Sequence, residues 1–410
     1  MMQMLQRRRR LGARAYSAAM LGLLGLLLSA SLVAQAPLQH VDKVVTIDKY
    51  EFAVTVPEGW QLEPLIVGLR GARMLTFHPN GDLFAGSSAG VVYRIPAPYR
   101  QAHALIELDD YPHSVAFRGD QILIARTSGL YSAPYSAGQQ HMQASSLRLL
   151  VAIPGGPGHN SRTVAIGPDK RIYLSLGISG NCSDEYADPS YPPAARRGGV
   201  MVLDENSTPS VWQGFASGLR NPVGFDWHPQ TEVAYASNNG PDHLGFDQPG
   251  EYFARLSANS FHGMPWFQWD GTKLLRDECI TRAPPRASAQ VSVPAVTFAA
   301  RNAPMAVKFL HTDLFGQHTA GDAIVALRGS WGTAPSGAPN GDPATRRPPQ
   351  LVLVRFKDKH PARVDELVSG FQLTDGRRWL RPVGLAIGPD KAIYISADAG
   401  FYGLYRLRRD

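Results

Sequence analysis

The sequence predicts an all-β protein: a six-bladed β-propeller of four-stranded antiparallel blades, with inserted loops gathered on one face. Three observations lead there. A short pattern of turn, strand and small residues recurs six times along the chain. The 410 residues include 40 Gly and 32 Pro, a load of turn formers that suits many short strands rather than long helices. Charged residues make up 18% and hydrophobic residues 44%, so the chain has apolar surface enough to build a core.

The N-terminal segment is of another kind. Arg7, Arg8, Arg9, Arg10 and Arg14 form a basic stretch without an acid, and no charge follows from Ala15 to Val41. Met20 to Leu28 reads MLGLLGLLL, and Ala34-Gln35-Ala36 offers small residues for cleavage. This order predicts a secretory signal peptide over residues 1–36, with a loose twin-arginine character. An uncleaved anchor is the alternative, because 18 or more apolar residues can span a bilayer. Either way residues 37–410, a single propeller domain, are expected outside the cytoplasm, periplasmic or secreted. The formal charge of +7 shrinks once this segment is set aside: five of the 41 Lys+Arg lie in it, leaving 36 against 34 acidic residues. Such a balance argues against a nucleic-acid partner. Membrane contact is expected only if the segment stays attached.

The repeated units begin at His78, Arg118, Gly167, His228, Ala320 and Gly388, with spacings of 40, 49, 61, 92 and 68 residues. Strand-like runs precede most of these turns (MLTF, SVAF, TVAI, VGFDW, VGLAI), and others follow them (VVYRI, LVLVRF, GLYRLR). Strand, tight turn, strand, loop and strand outline a four-stranded blade. The first spacings suit one blade each. The longer ones require insertions at about 178–198, 239–290 and 332–349, where functional residues on a rigid scaffold tend to sit. Two β-sandwiches are the competing architecture, and six copies of one turn pattern favour the propeller.

Several residues in these loops carry chemistry. His159 lies between a glycine-rich loop and a strand in PGGPGHNSRTVAI, and an imidazole titrating near 6.5 suits a general base at neutral pH. Arg220 and Asn221 sit in GLRNPVGFDWHP, Arg381 in LRPVG, and Arg328 just before GSWG. Planar guanidinium groups bind carboxylates bidentately, as ammonium groups do not. Gly240 and Pro241 lie in NNGPDHLGFD, with Asp242, Asp247 and Glu251 nearby. Trp331 could stack on a flat ligand or fill the core between blades. No dinucleotide-binding G-x-G-x-x-G, Walker loop, H-E-x-x-H or G-x-S-x-G is present.

These segments, together with VPEGWQLEPLIVGLRGARMLTFHPNGDLFAG and HGMPW, resemble the pyrroloquinoline quinone (PQQ)-dependent sugar dehydrogenases of the soluble glucose dehydrogenase and L-sorbosone dehydrogenase type. The resemblance runs from about Val56 to Arg406. It implies a six-bladed propeller with PQQ on the axis, and oxidation of a sugar alcohol, hemiacetal or aldehyde hydrate. It further implies His159 as the base, Arg220, Asn221, Arg328 and Arg381 as cofactor-binding residues, and the main-chain carbonyls of Gly240 and Pro241 as calcium ligands. A small sugar and an electron acceptor, either a soluble carrier or a membrane quinone, are the partners it implies. The chain departs from the sorbosone-type pattern at Glu251-Tyr252, at Arg301-Asn302 and in having a single cysteine, Cys182, after the third-blade strand. Cys182 and Cys279 lie in two insertions, and they are expected either bridged or as free buried thiols; a bridge closing a loop of about 97 residues would stabilise by about 4–5 kcal/mol in the chain-entropy account. Two other functions remain open on these residues: a propeller without redox chemistry that binds a glycan or a protein, and a calcium-dependent lactonase.

Overall fold

The recurrent turns are the simplest place to see sequence become structure. In Gly167-Pro168-Asp169-Lys170 the Asp169 carboxylate accepts the Arg171 N–H at 3.1 Å and the Tyr173 hydroxyl at 2.8 Å, and Lys170 takes φ 67°. The copy at Gly388 repeats this: Asp390 accepts the Ala392 N–H at 3.2 Å and the Tyr394 hydroxyl at 2.9 Å, and Lys391 takes φ 62°. An aspartate that satisfies the backbone of its own turn and clamps a tyrosine four residues on closes a tight link between two strands.

The computed structural model describes residues 36–410; the N-terminal signal or anchor reading falls on residues 1–36 and so lies almost wholly outside the described residues. Six four-stranded antiparallel units follow one another in order. Blade I comprises Ala72–Phe77, Leu83–Ser87, Val91–Ile95 and His103–Glu107. Blade II comprises Ser114–Arg118, Gln121–Arg126, Gly129–Pro134 and Arg148–Ala152. Blade III has Val164–Ile166, Ile172–Leu176, Gly199–Asp204 and Val211–Ser217, to which Ser260–Phe261 adds a short parallel strand. Blade IV has Phe225–Trp227, Ala234–Asn238, Glu251–Leu256 and Val296–Phe298, and blade V has Pro304–Phe309, Ala323–Leu327, Gln350–Lys357 and His360–Val368. Blade VI takes Leu380–Ile387, Ile393–Gly400 and Gly403–Arg409 from the C-terminal end, and its outer strand, Trp60–Val67, from the N-terminal side. That exchange closes the ring and removes a free sheet edge. The fold is therefore the expected six-bladed propeller, and among the described residues no helix is long and apolar enough to cross a membrane.

The six inner strands surround an axial channel, to which Thr76, Ser114, Thr163, Gly224, Ala306 and Leu385 contribute one residue per blade. Side-chain hydroxyls stitch blade to blade around it. Ser114 donates to the Arg162 carbonyl at 2.7 Å, Thr163 to Val223 at 2.5 Å, Ser237 to Met305 at 2.5 Å and Ser396 to Arg73 at 2.5 Å. Each such bond satisfies a carbonyl that the narrow channel would otherwise leave bare.

Two elements were not visible in the sequence pattern. An antiparallel hairpin, His40–Ile47 with Tyr50–Pro57, packs on blade VI, where Phe52 stacks on Trp379 at 4.6 Å between ring centroids. The insertions of blades III and IV share a small aromatic core of Tyr186, Tyr191, Phe261, Trp266, Phe267 and Ile280. A disulfide between Cys182 and Cys279 fastens the same two insertions, which decides between the bridge and the free thiols.

Candidate active site

Arg73 of blade I and the loops around blades III–V meet above the axial channel at a cavity of about 360 Å³, lined by residues that include His159, Arg220, Asn221, Gly240 and Arg328. Five of the seven residues expected in a site thus converge, although Arg328 follows Arg220 by more than a hundred positions. The volume falls within the range of about 300–1,000 Å³ typical of small-molecule sites.

His159 is fixed from several sides. The preceding Gly158 has φ 89°, and a Cβ there would lie 2.1 Å from the Ser179 carbonyl oxygen, so this glycine lets the loop sit directly on the next strand end. The His159 carbonyl accepts from Arg162 Nη1 at 2.7 Å and Arg197 Nη2 at 3.4 Å. Its ring Nδ1 donates to the Ile178 carbonyl at 2.5 Å. A proton committed to Nδ1 leaves Nε2 as the bare, accepting nitrogen. Burial, and then the Arg220 charge, lower its pKa from the ordinary 6.5 to about 4. The imidazole is therefore neutral at pH 7, the state a proton acceptor requires. The expected result of a histidine-resolved NMR titration of the cofactor-free protein is a His159 midpoint near 4, moving upward when an anionic ligand enters. A midpoint at the ordinary 6.5 would contradict this placement.

Gly177 supports the same group. A Cβ at this position would lie 2.6 Å from both His159 Cβ and Asn221 Oδ1. Gly177→Ala is thus expected to displace His159 and Asn221 together, at an overpacking cost of about 1–3 kcal/mol in stability. Thermal unfolding and the His159 NMR signal of the variant would check it.

Arg220 and Asn221 end the third blade. The Arg220 carbonyl accepts the Ile178 N–H at 2.8 Å, and the Asn221 N–H donates to Asn238 Oδ1 at 3.0 Å. Arg220 Nε donates to Asn181 Oδ1 at 2.9 Å and Nη2 to Asp242 Oδ2 at 2.7 Å. Asp242 is also held by Arg301, whose Nη1 donates to Oδ1 at 2.9 Å. Arg301 further donates through Nε to the Gly245 carbonyl at 2.9 Å, so a residue that departs from the sorbosone-type pattern here pins the 242–245 turn. Arg301 itself takes φ 70°, a strained backbone that this network holds in place.

On the opposite side, Asp398 binds two guanidinium groups, Arg73 through Nη1 and Arg328 through Nε at 2.9 Å. Arg381 lies one layer behind the cavity wall. Its Nε donates to the Arg328 carbonyl at 2.9 Å and its Nη2 to the Gly329 carbonyl at 2.8 Å. Pro241 is buried beside Gly240 but outside the lining, and Asp247 is exposed at the rim, paired with Arg347. Trp331 lines the cavity and stays 48% exposed, which separates it from the interblade core, and the Arg301 guanidinium lies over its ring at 5.8 Å from the centroid.

Two buried oxygens facing this cavity lack any partner: Asn221 Oδ1 and Glu251 Oε2. Glu251 is fully buried, and desolvation raises its pKa to about 8 despite the nearby Arg220. It is mostly protonated at pH 7. Four guanidinium groups of the lining, Arg73, Arg220, Arg301 and Arg328, thus share two carboxylate partners, Asp242 in the lining and Asp398 behind it. Such a field suits an anion, and the unsatisfied oxygens suit a cation or a donor placed beside it. Of the other charged members of this lining, Glu251 was noted beside Gly240 and Pro241 and Arg301 as a departure from the sorbosone-type pattern, while Arg73 did not stand out in the sequence. A charged residue at the start of a propeller strand is the signal that would have marked Arg73.

The comparisons with known proteins agree with this picture. Residues 54–252 match the family model described as TrAA12-like. An uncharacterised protein of Borreliella burgdorferi is 21% identical over 371 residues, 87% of this chain and 92% of that one. Among solved structures, the calcium structure of the Trichoderma reesei carbohydrate-active enzyme of family AA12 superposes with a TM-score of 0.73 at 17% identity, covering 89% of this chain and 100% of that one. The holo form of the pyranose dehydrogenase PQQ domain from Coprinopsis cinerea gives a TM-score of 0.70 at 18% identity over 89% and 98% of the two chains. The chain is thus a six-bladed propeller that carries a TrAA12-like sequence over residues 54–252, and it resembles the PQQ-dependent sugar dehydrogenases to which its motifs pointed.

Proposed function

We propose that this protein is an exported quinoprotein oxidoreductase that oxidises a sugar or a sugar-derived aldehyde or alcohol. The observation that carries the proposal is one cavity uniting a neutral imidazole, His159, with the guanidinium groups of Arg220 and Arg328 and the unpartnered oxygens of Asn221 and Glu251. Related proteins point the same way: a pyranose dehydrogenase domain in holo form, a PQQ-bound aldose sugar dehydrogenase from Streptomyces coelicolor and an AA12 enzyme with calcium.

The donor set fits PQQ and calcium. Arg220 and Arg328 would bind the carboxylates of PQQ, and Asn221 would meet its polar ring edge. The Gly240 and Pro241 carbonyls and Glu251 Oε2 would offer the hard oxygen ligands that calcium takes. When bound, the quinone supplies a hydride acceptor that the cation makes more electrophilic. His159 Nε2 would receive the proton of the substrate hydroxyl, its ring kept in register by Ile178, Arg162 and Arg197. Arg381 acts on Arg328 through the main chain and is a positioning residue in this scheme. Electrons would leave to a soluble carrier or a membrane quinone, and residues 1–36 would direct export.

A lactonase site would want several carboxylates converging on the metal. Asp242 has both oxygens engaged by Arg220 and Arg301, which works against that reading. The experiment adds PQQ and calcium to the purified protein and follows the quinone absorbance as sugars are offered. Saturable binding and bleaching by a sugar are expected. No binding at micromolar cofactor would overturn the proposal, and glycan binding without quinone binding would favour a non-redox propeller.

A further inference from the structure

Beside the cavity, the Cys182–Cys279 disulfide lies at the surface with an imidazole next to it. Cys279 is exposed and Cys182 half-buried, and His243 Nδ1 is 3.9 Å from Cys182 Sγ. The other ring nitrogen, Nε2, lies 3.1 Å from each oxygen of Asp277. The Asp277 side chain is only 2% exposed, accepts Gln268 Nε2 at 3.0 Å and also receives the Cys279 N–H at 3.1 Å. One buried carboxylate therefore orients both the imidazole and one arm of the disulfide. A purely structural crosslink needs neither.

We propose that this disulfide is a thiol-exchange site, with His243 as the group that stabilises the departing Cys182 sulfur. An external dithiol gives the proton of its first S–H to His243 Nδ1, which lies within 4.8 Å of both disulfide sulfurs, and its sulfur attacks the more exposed Cys279 Sγ. The S–S bond breaks, Cys182 leaves, and its sulfur takes that proton from His243 Nδ1, which lies 3.9 Å away, while Nε2 stays on Asp277. The second thiol of the reductant then releases Cys279 from the mixed disulfide. The protein gains two electrons and two protons, and the dithiol becomes a disulfide.

The exchange would be felt in the cavity. Asn181, next to Cys182, accepts from Arg220 Nε at 2.9 Å and from the Asp242 N–H at 3.1 Å. His243 follows Asp242 directly. Opening the bridge frees both loop ends that hold Arg220 in place, so reduction is expected to loosen the guanidinium that meets the cofactor. This coupling rests on the proposed cofactor site; the exchange chemistry does not.

The test has two readouts. In the first, cofactor-free protein is reduced with dithiothreitol and thiol release is followed with a maleimide. His243→Ala is expected to slow reduction by about tenfold, since the leaving sulfur loses its donor, while the oxidised variant keeps wild-type PQQ affinity. Equal rates in both proteins would overturn the assignment of His243. In the second, hydrogen exchange at residues 239–245 is compared in oxidised, reduced and Cys182→Ser/Cys279→Ser protein. Faster exchange in the last two supports the coupling, and unchanged exchange refutes it. Neither readout needs bound quinone, so a failure of the enzyme reading would leave both interpretable. If PQQ binds, its dissociation constant is expected to rise about tenfold on reduction.

Discussion

His159→Ala is expected to lower turnover by about 10²–10⁴-fold, the usual contribution of a positioned general base, with PQQ affinity changed only a few-fold. The asymmetry follows from the site. The ring spends Nδ1 on Ile178 and presents only Nε2, so it adds one acceptor and no charge at pH 7. Binding of a polyanionic cofactor falls to the guanidinium groups. Loss of the ring removes one hydrogen bond, about 1 kcal/mol of stability, so the variant should fold. In kinetic terms kcat and kcat/KM fall together, the mark of an interaction made in the transition state. Retained turnover in a folded variant would remove His159 from the chemistry.

Arg220 should show the opposite pattern. Arg220→Met is expected to weaken PQQ by about 100-fold, the worth of two charge-assisted hydrogen bonds. It should also destabilise the protein by about 3 kcal/mol, because Asp242 loses one of two buried cationic partners. This cost is at the low end for a broken pair, since Arg301 still holds Asp242. Arg220→Lys restores the charge without the planar fork and should recover only part of the affinity, about tenfold below wild type. Binding titrations and thermal unfolding read both effects. An Arg220→Met protein that binds the quinone normally would place the cofactor elsewhere.

What could be read from the sequence was what is local or repeated. The Asp169–Tyr173 and Asp390–Tyr394 clamps recur because blades III and VI close the same Gly-Pro-Asp-Lys turn, and a four-residue spacing is visible in one dimension. Blade V's inner strand, Pro304–Phe309, ends well before its turn at Ala320 instead of running straight into it, and begins with a residue that reads as a strand breaker. The closing strand Trp60–Val67 pairs with Gly403–Arg409, at the far end of the chain, and nothing in either segment names its partner. The site divides in the same way. His159, Arg220, Asn221, Gly240 and Arg328 lie in motif-bearing loops. Arg381 was expected against the cofactor and instead holds the backbone of Arg328, because a guanidinium at the start of a strand can reach either the cavity or the neighbouring blade's carbonyls. Arg73, Arg301 and Glu251 act through burial and mutual pairing, which only the closed ring creates. The Cys182–Cys279 bridge likewise needed the two insertions placed side by side.

The most direct test of the central claim is a crystal structure of the protein soaked with PQQ and calcium. The quinone is expected in the axial cavity, its carboxylates on Arg220 and Arg328, with a cation beside Gly240 and Glu251, and His159 Nε2 facing the space left for a sugar. A quinone bound at another surface, or an axial cavity that stays empty in saturating cofactor, would contradict it.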